Sequence, residues 1–149
     1  MSIWRSPKTL DALNSAAPDT LIRNLGIVFT AVGDDFVRAT MPVDRRTWQP
    51  TGLLHGGASV TLAETLGSVG GNMCVDDSTH ACVGQEINAN HVRSARHGHV
   101  TGTARPVHLG GRSQVWAIDI VNEASELVCV SRLTLAVIRR GPPDGTMAR

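Results

Sequence analysis

The sequence predicts an α+β fold in which one long helix lies across a single antiparallel sheet. Three observations predict it. Most of the chain from residue 27 onward alternates apolar and polar residues with a period of two and is rich in β-branched residues, as half-buried strands are. Only "GGASVTLAETLGSVGG", Gly56 to Gly71, is long and apolar enough to be a core helix. The links between period-two segments are short, and parallel neighbours would need long crossovers. Such a sheet has one apolar face to cover and one helix to cover it, so the helix is expected to cross the concave face, apolar nearly all round.

The elements follow in order. Ser6 before Pro7 can cap a helix over 7–15, since proline suits the first helical position and serine supplies the missing acceptor. "PDTLIRNLG" reads as a second short helical turn ending at Gly26, so residues 1–25 form an N-terminal pair of short helices. "GIVFTAV" and "FVRATMPV", separated by "GDD", make a hairpin. After the central helix come strands over 81–91, 98–107, 113–122 and 127–138, expected to form a meander, with Trp116, Ile118 and Ile120 on one face. The tail 139–149, "RRGPPDGTMAR", has no periodicity and is expected to be mobile.

Composition narrows the function classes. The 149 residues, 42% hydrophobic, fit a single domain over 1–149 that buries roughly 70% of its unfolded surface. A net charge of +1, with 14 basic residues spread among 13 acidic ones, leaves no electrostatic footprint for nucleic acid or an anionic membrane. No run of about 18 apolar residues occurs and the N-terminus lacks a leader's apolar stretch, so the expected location is cytoplasmic. Cys74, Cys82 and Cys129 are odd in number and form no CxxC pair, which argues against a disulfide framework or a zinc ribbon and for small buried hydrophobes. His97 and His99 would share a face if both lay on a strand, but they lack acidic or cysteine company, and no metal is expected.

The central helix carries a carboxylate, Glu64, that packing does not explain. An unpaired charge taken out of water costs several kcal/mol, and no basic residue stands at 60, 61, 67 or 68 to pair with it along the helix. Glu64 must therefore find a distant arginine or have a chemical role. Ser68 stands one turn later, and His55, Gly56 and Gly57 stand at the helix start, where bare amides and the positive end of the dipole can meet a developing oxyanion. Glu64 is about 12 Å further along the axis, too far for one chain to aim both at one carbonyl. Two antiparallel helices related by a two-fold axis would solve this, with the amide from one chain and the carboxylate from the other. Close helix-to-helix packing would also explain the glycines at 67, 70 and 71, although Gly70 and Gly71 suit helix termination as well.

"RTWQPTGLLHGGASVTLAETLGS", "GQEINANHVRSA" and "PVHLGGRSQVWAIDI" together resemble the hotdog-fold acyl-CoA thioesterases of the phenylacetate-degradation and 4-hydroxybenzoyl-CoA thioesterase type. The likeness covers about residues 8–138 and is nearest to the branches acting on 1,4-dihydroxy-2-naphthoyl-CoA and proofreading aryl-carrier proteins in enterobactin synthesis. It implies a long helix wrapped by a five- or six-stranded antiparallel sheet, paired into homodimers and commonly homotetramers. It places the catalytic carboxylate on Glu64, the oxyanion amide on Gly56, the residues near the thioester on Gln49 and His55, and the hydroxyl partner on Ser68. In that scheme Gln49, His55 and Gly56 come from one subunit, Glu64 and Ser68 from the other. His91, Arg93 and Ser94 are nominated for CoA, as is Arg112. The implied substrate is a small-molecule acyl-CoA, with CoA part of the substrate and no separate cofactor. The competing readings are a proofreading thioesterase on carrier-protein thioesters, which Arg93, Arg96 and Arg105 would serve as a basic patch, and a noncatalytic acyl-CoA-binding protein.

Overall fold

Two short helices, α1 (Leu10–Ser15) and α2 (Leu21–Asn24), precede the sheet in a computed structural model that describes residues 1–16 and 18–141. The cap of α1 is Thr9, whose side chain accepts from Ala12 N–H, and not Ser6 as expected. The Ser6 N–H and hydroxyl instead donate to Met73 O and Val75 O, which fastens the N-terminal segment to the end of the long helix and delays α1 to Leu10.

The expected hairpin is β1 (Val28–Val32) and β2 (Val37–Pro42), closed where Gly33 N–H donates to Phe36 O. The long helix α3 spans Gly56–Met73, followed by β3 (His80–His91), β4 (His99–Leu109), β5 (Ser113–Asn122) and β6 (Leu127–Arg139). All six strands join one antiparallel sheet in the order β1-β2-β4-β5-β6-β3. Strands β4, β5 and β6 are the expected meander, but β3 corrects it: it pairs with β6 at the far edge and never meets β4. Three inter-strand steps amount to about 14 Å, which the segment 92–98 between β3 and β4 can span.

Helix α3 buries Ala58, Leu62, Ala63, Leu66, Gly67, Gly70 and Met73 against the sheet, a stripe with helical spacing. Its other flank, which includes Glu64 and Ser68, is only half-buried, so the helix is not apolar all round. Its glycines also differ from expectation. A Cβ on Gly67 would lie 2.6 Å from Leu133 Cδ2, one on Gly70 would lie 2.7 Å from the Trp116 ring, and one on Gly71 would meet Leu135. The close approach they permit is to the chain's own sheet, not to another helix, and Gly70 and Gly71 lie inside the helix.

Trp116, Ile118 and Ile120 are fully buried together, as their spacing predicts. Trp116 stacks on Trp4 at 6.3 Å and donates its Nε1–H to Gln114 Oε1. Cys82 and Cys129 are buried and Cys74 half-buried; all three are free thiols. Burial pushes the Cys74 and Cys82 thiols up to about 11, so neither is a nucleophile at neutral pH. Strand β6 extends to Arg139, and Arg140 is still held through Thr79 O and His80 O, so the start of the expected tail belongs to the sheet; residues 142–149 lie outside the described residues. No helix among the described residues is long and apolar enough to cross a membrane.

Candidate active site

The loop between β2 and α3 is tied down before it reaches the helix. Buried Thr47 donates its hydroxyl to Pro42 O at 2.8 Å, and His55 N–H donates to Thr47 O. Leu54 N–H donates to Ala95 O and Trp48 Nε1–H to Arg96 O, so the loop is stapled to segment 92–98. Gln49 sits at the base of a tight turn, its N–H on Leu53 O and its carbonyl receiving Gly52 N–H, with Gly52 at φ +75°. A left-handed residue there favours glycine.

These staples gather residues that are far apart in sequence. Gln49, His55, Gly56, His91, Arg93 and Ser94 line one groove of ≈ 410 Å³ at the N-terminus of α3. His91 lies over Gly56: a Cβ there would be 2.8 Å from His91 Nε2, so glycine is what lets the ring approach the backbone. Arg93 forms a surface ion pair with Glu126 at 3.5 Å, an interaction worth about 0–1 kcal/mol that leaves the guanidinium available to a phosphate.

Only one of the two expected bare amides is bare. His55 Nδ1 caps the helix by accepting Gly57 N–H at 2.8 Å. The Gly56 N–H has no hydrogen-bond partner among the described residues, and Gly56 lines the groove. Because Nδ1 is an acceptor, a neutral His55 carries its proton on Nε2, where it can donate.

Glu64 and Ser68 are not brought to this groove. Glu64 stands in the middle of α3 with no hydrogen bond or ion pair to any described residue, so no arginine described in its own chain holds it. Its carboxylate leans over Gly84 of β3, where a Cβ would lie 2.5 Å from Glu64 Oε1, next to a register shift between Gly84 and Glu86. Ser68, one turn on, makes no hydrogen bond to Glu64 and faces an apolar groove of ≈ 260 Å³ with Leu13, Ile22, Phe29 and Val69. Arg112, in the β4–β5 turn, is exposed near the C-terminal end of α3 and is not brought to the N-terminal groove.

Two participants escaped the sequence reading. Gly84 carried a signal, since a glycine inside a strand marks a bulge or a close approach. Ser59, buried at the helix start and lining the same groove as Gly56, could have been found from its helical spacing to Gly56. His97 and His99 do not share a strand: His97 lies in segment 92–98, and His99 opens β4 with its Nδ1 3.6 Å from Glu123 Oε1. No group of three or more metal-ligating side chains occurs among the described residues.

Comparison with known proteins gives the family and supports the fold. Residues 51–129 match the family model of the thioesterase superfamily. The chain is 54% identical to the 1,4-dihydroxy-2-naphthoyl-CoA hydrolase of Escherichia coli, over 91% of this chain and 99% of that one. It is 50% identical to a proofreading thioesterase of Cronobacter sakazakii, over 91% and 98% of the two chains. The crystal structure of a thioesterase from Haemophilus influenzae superposes with a TM-score of 0.89 at 50% identity, covering 92% of this chain and 95% of that one. With its one long helix against a six-stranded antiparallel sheet, the chain is a hotdog-fold thioester hydrolase that belongs to the thioesterase superfamily.

Proposed function

We propose that the protein hydrolyses an acyl-CoA thioester, aromatic in its acyl group, such as a hydroxybenzoyl- or 1,4-dihydroxy-2-naphthoyl-CoA, in sites shared between two copies of the chain. The observation that carries this reading is the division of the polar groups. The free Gly56 amide lies in a groove with Gln49 and His55, while the unpartnered Glu64 carboxylate lies about 12 Å along the same helix. The Glu64 carboxylate also lies beside β3, whose outer edge is unpaired. A strand of 12 residues left open on one side calls for a cover, and a second copy related by a two-fold axis supplies one. Pairing of two such dimers into a tetramer and a cytoplasmic location complete the reading.

In the shared site, Gly56 N–H at the positive end of α3 stabilises the oxyanion that forms on the thioester carbonyl. Glu64 of the other copy either attacks the carbonyl carbon, giving a mixed anhydride that water opens, or takes a proton from the water that attacks. On both routes the C–S bond breaks with its electron pair on sulfur and the thiolate leaves. Gln49 and the His55 Nε2–H position the thioester or assist that thiolate, and Ser68 orients the carboxylate or the water. His91, Arg93 and Ser94 receive the CoA arm, whereas Arg112 would serve only a site completed by another chain. CoA belongs to the substrate, and no further cofactor enters the scheme.

The apolar groove beside Ser68 offers the acyl group aliphatic walls and the Phe29 ring. Free CoA is preferred to a carrier protein as the donor because Arg93 and Arg105 are each matched by a carboxylate, Glu126 and Asp35, which leaves little of a basic patch. The test is thiol release from benzoyl-, 4-hydroxybenzoyl-, 1,4-dihydroxy-2-naphthoyl-, hexanoyl- and palmitoyl-CoA by wild type and Glu64→Gln. The expected result is an aryl preference and a loss of about 10³-fold or more in the variant. Equal rates from both proteins would remove Glu64 from the chemistry, and no turnover by either would favour a binding protein.

A further inference from the structure

The buried polar side chains of the core separate into two kinds. Thr47 donates to Pro42 O, Gln114 bonds both Gly71 O and Trp116 Nε1–H, and Ser131 donates to Asn88 O at 2.8 Å. Ser59 is as deeply buried, at 1% exposure, yet its hydroxyl has no hydrogen-bond partner among the described residues. The Ser59 hydroxyl thus keeps its donor unused by the described chain, unlike the other three. No fully enclosed side-chain polar atom among the described residues lacks a partner, so the small accessible part of Ser59 is its hydroxyl, open to the groove it lines.

Its direction follows from helix geometry. Ser59 is three residues after Gly56, on nearly the same face, and helical side chains lean toward the N-terminus. The hydroxyl therefore leans back over the first turn, toward the level of the free Gly56 N–H. The common alternative for a helical serine, donation to the carbonyl four residues earlier, is not made here, although the Ser59 backbone N–H does donate to His55 O.

We propose that the Ser59 hydroxyl is a second hydrogen-bond donor to the thioester carbonyl oxygen that Gly56 N–H receives. The inference rests on the hydrolase reading above and adds a group to it. Ser59 keeps its proton throughout: the bond strengthens as the carbonyl oxygen gains negative charge in the tetrahedral state and relaxes as the thiolate leaves.

The experiment is steady-state hydrolysis of the preferred aryl-CoA by wild type, Ser59→Ala and Ser59→Cys, with thermal unfolding of each. Both variants are expected to lose about 10- to 100-fold in kcat with KM within about twofold, because the donor acts mainly in the transition state. Tm should not fall in Ser59→Ala, since the hydroxyl has no partner in the chain to lose. Cysteine fills the same space with a weak donor, so wild-type kcat in Ser59→Cys would overturn the proposal. So would a change confined to KM, or a loss of kcat that tracks a loss of Tm. A wild type that turns over no thioester sinks the hydrolase reading and this inference with it; an active wild type beside an equally active Ser59→Ala sinks this inference alone.

Discussion

The first turn of α3 and the turns that follow it use the same residue types to opposite ends. At the first turn, glycine faces a groove: Gly56 keeps its amide free, and His91 lies where a side chain would be. Further along, Gly67, Gly70 and Gly71 face inward and make room for Leu133, Trp116 and Leu135. The polar groups divide in the same way. The first turn draws Gln49, His55, His91 and Arg93 together from two loops and a strand end, whereas Glu64 has no hydrogen bond or ion pair among the described residues. The first turn can bind and polarise a carbonyl but has no carboxylate, and the middle has the carboxylate without the amide. On the proposed reading one helix carries two half-sites, and its sheet-facing side is reserved for packing.

The experiment that would break this comparison most sharply mixes two inactive chains. Gly56→Ala and Glu64→Gln proteins, unfolded and refolded together, form hybrids with one doubly altered site and one intact site, provided that each site takes Gly56 from one chain and Glu64 from the other. Random pairing makes half the dimers hybrid, so about a quarter of wild-type activity should return from two nearly dead parents. If both residues served one site within a chain, no hybrid would hold an intact site and the mixture would stay at the parental level.

Gly56→Ala alone sharpens the front half. The added methyl would lie 2.8 Å from His91 Nε2, and His91 is exposed enough to swing aside. The fold should therefore keep its Tm while kcat/KM falls by about 100-fold, the scale for a disturbed oxyanion donor. A fall in Tm of several degrees with activity per folded molecule intact would mean that this glycine, like the others, serves packing.

The front half was largely legible in the sequence and the back half was not. The spacing of Gly56 and Glu64 on one helix is read directly from the sequence, and the structure keeps the two groups apart along α3. The paired glycines misled at one point: His55 Nδ1 takes the Gly57 amide, a choice made by a side-chain rotamer that spacing does not reveal. Behind Glu64, a small residue says that something approaches but not what, and the partner proved to be Trp116 and its neighbours, not a second helix. The position of β3 was hidden for a related reason. Period-two alternation assigns faces within a strand, but the order of strands is decided by which edge the segment 92–98 can reach.

Gly70→Ala tests the back half and should give the reverse of Gly56→Ala. Alanine gains about 1 kcal/mol of helix propensity. The new methyl, however, would lie 2.7 Å from a Trp116 ring that is stacked on Trp4 and tied to Gln114, and overpacking costs about 1–3 kcal/mol. The expected net is a Tm lowered by a few degrees with kcat unchanged. A higher Tm would show that Trp116 yields and that the glycine stripe is not set by the sheet.

The smallest expected effect concerns how the front half is held. Asp44, at the start of the loop that carries Gln49 and His55, receives the Arg46 side chain at 2.7 Å and the Arg46 backbone N–H at 2.9 Å. Those hydrogen bonds favour the ionised form and lower the Asp44 carboxyl from 3.8 to about 2. A depressed folded-state value means that the anchor's contribution is complete above the unfolded carboxyl's value of about 3.9, and is lost as pH falls through about 2. At neutral pH the anchor is therefore insensitive to acidity and adds no pH dependence to turnover there. NMR titration of the Asp44 carboxyl should give a midpoint near 2 in wild type and a clearly higher one in Arg46→Ala. Because both side chains are about half exposed, the same variant should change KM by no more than about threefold. A larger change would mean that the front half depends on this one ion pair, and that the staples from Thr47, Trp48 and Leu54 do not by themselves hold Gln49 and His55 over Gly56.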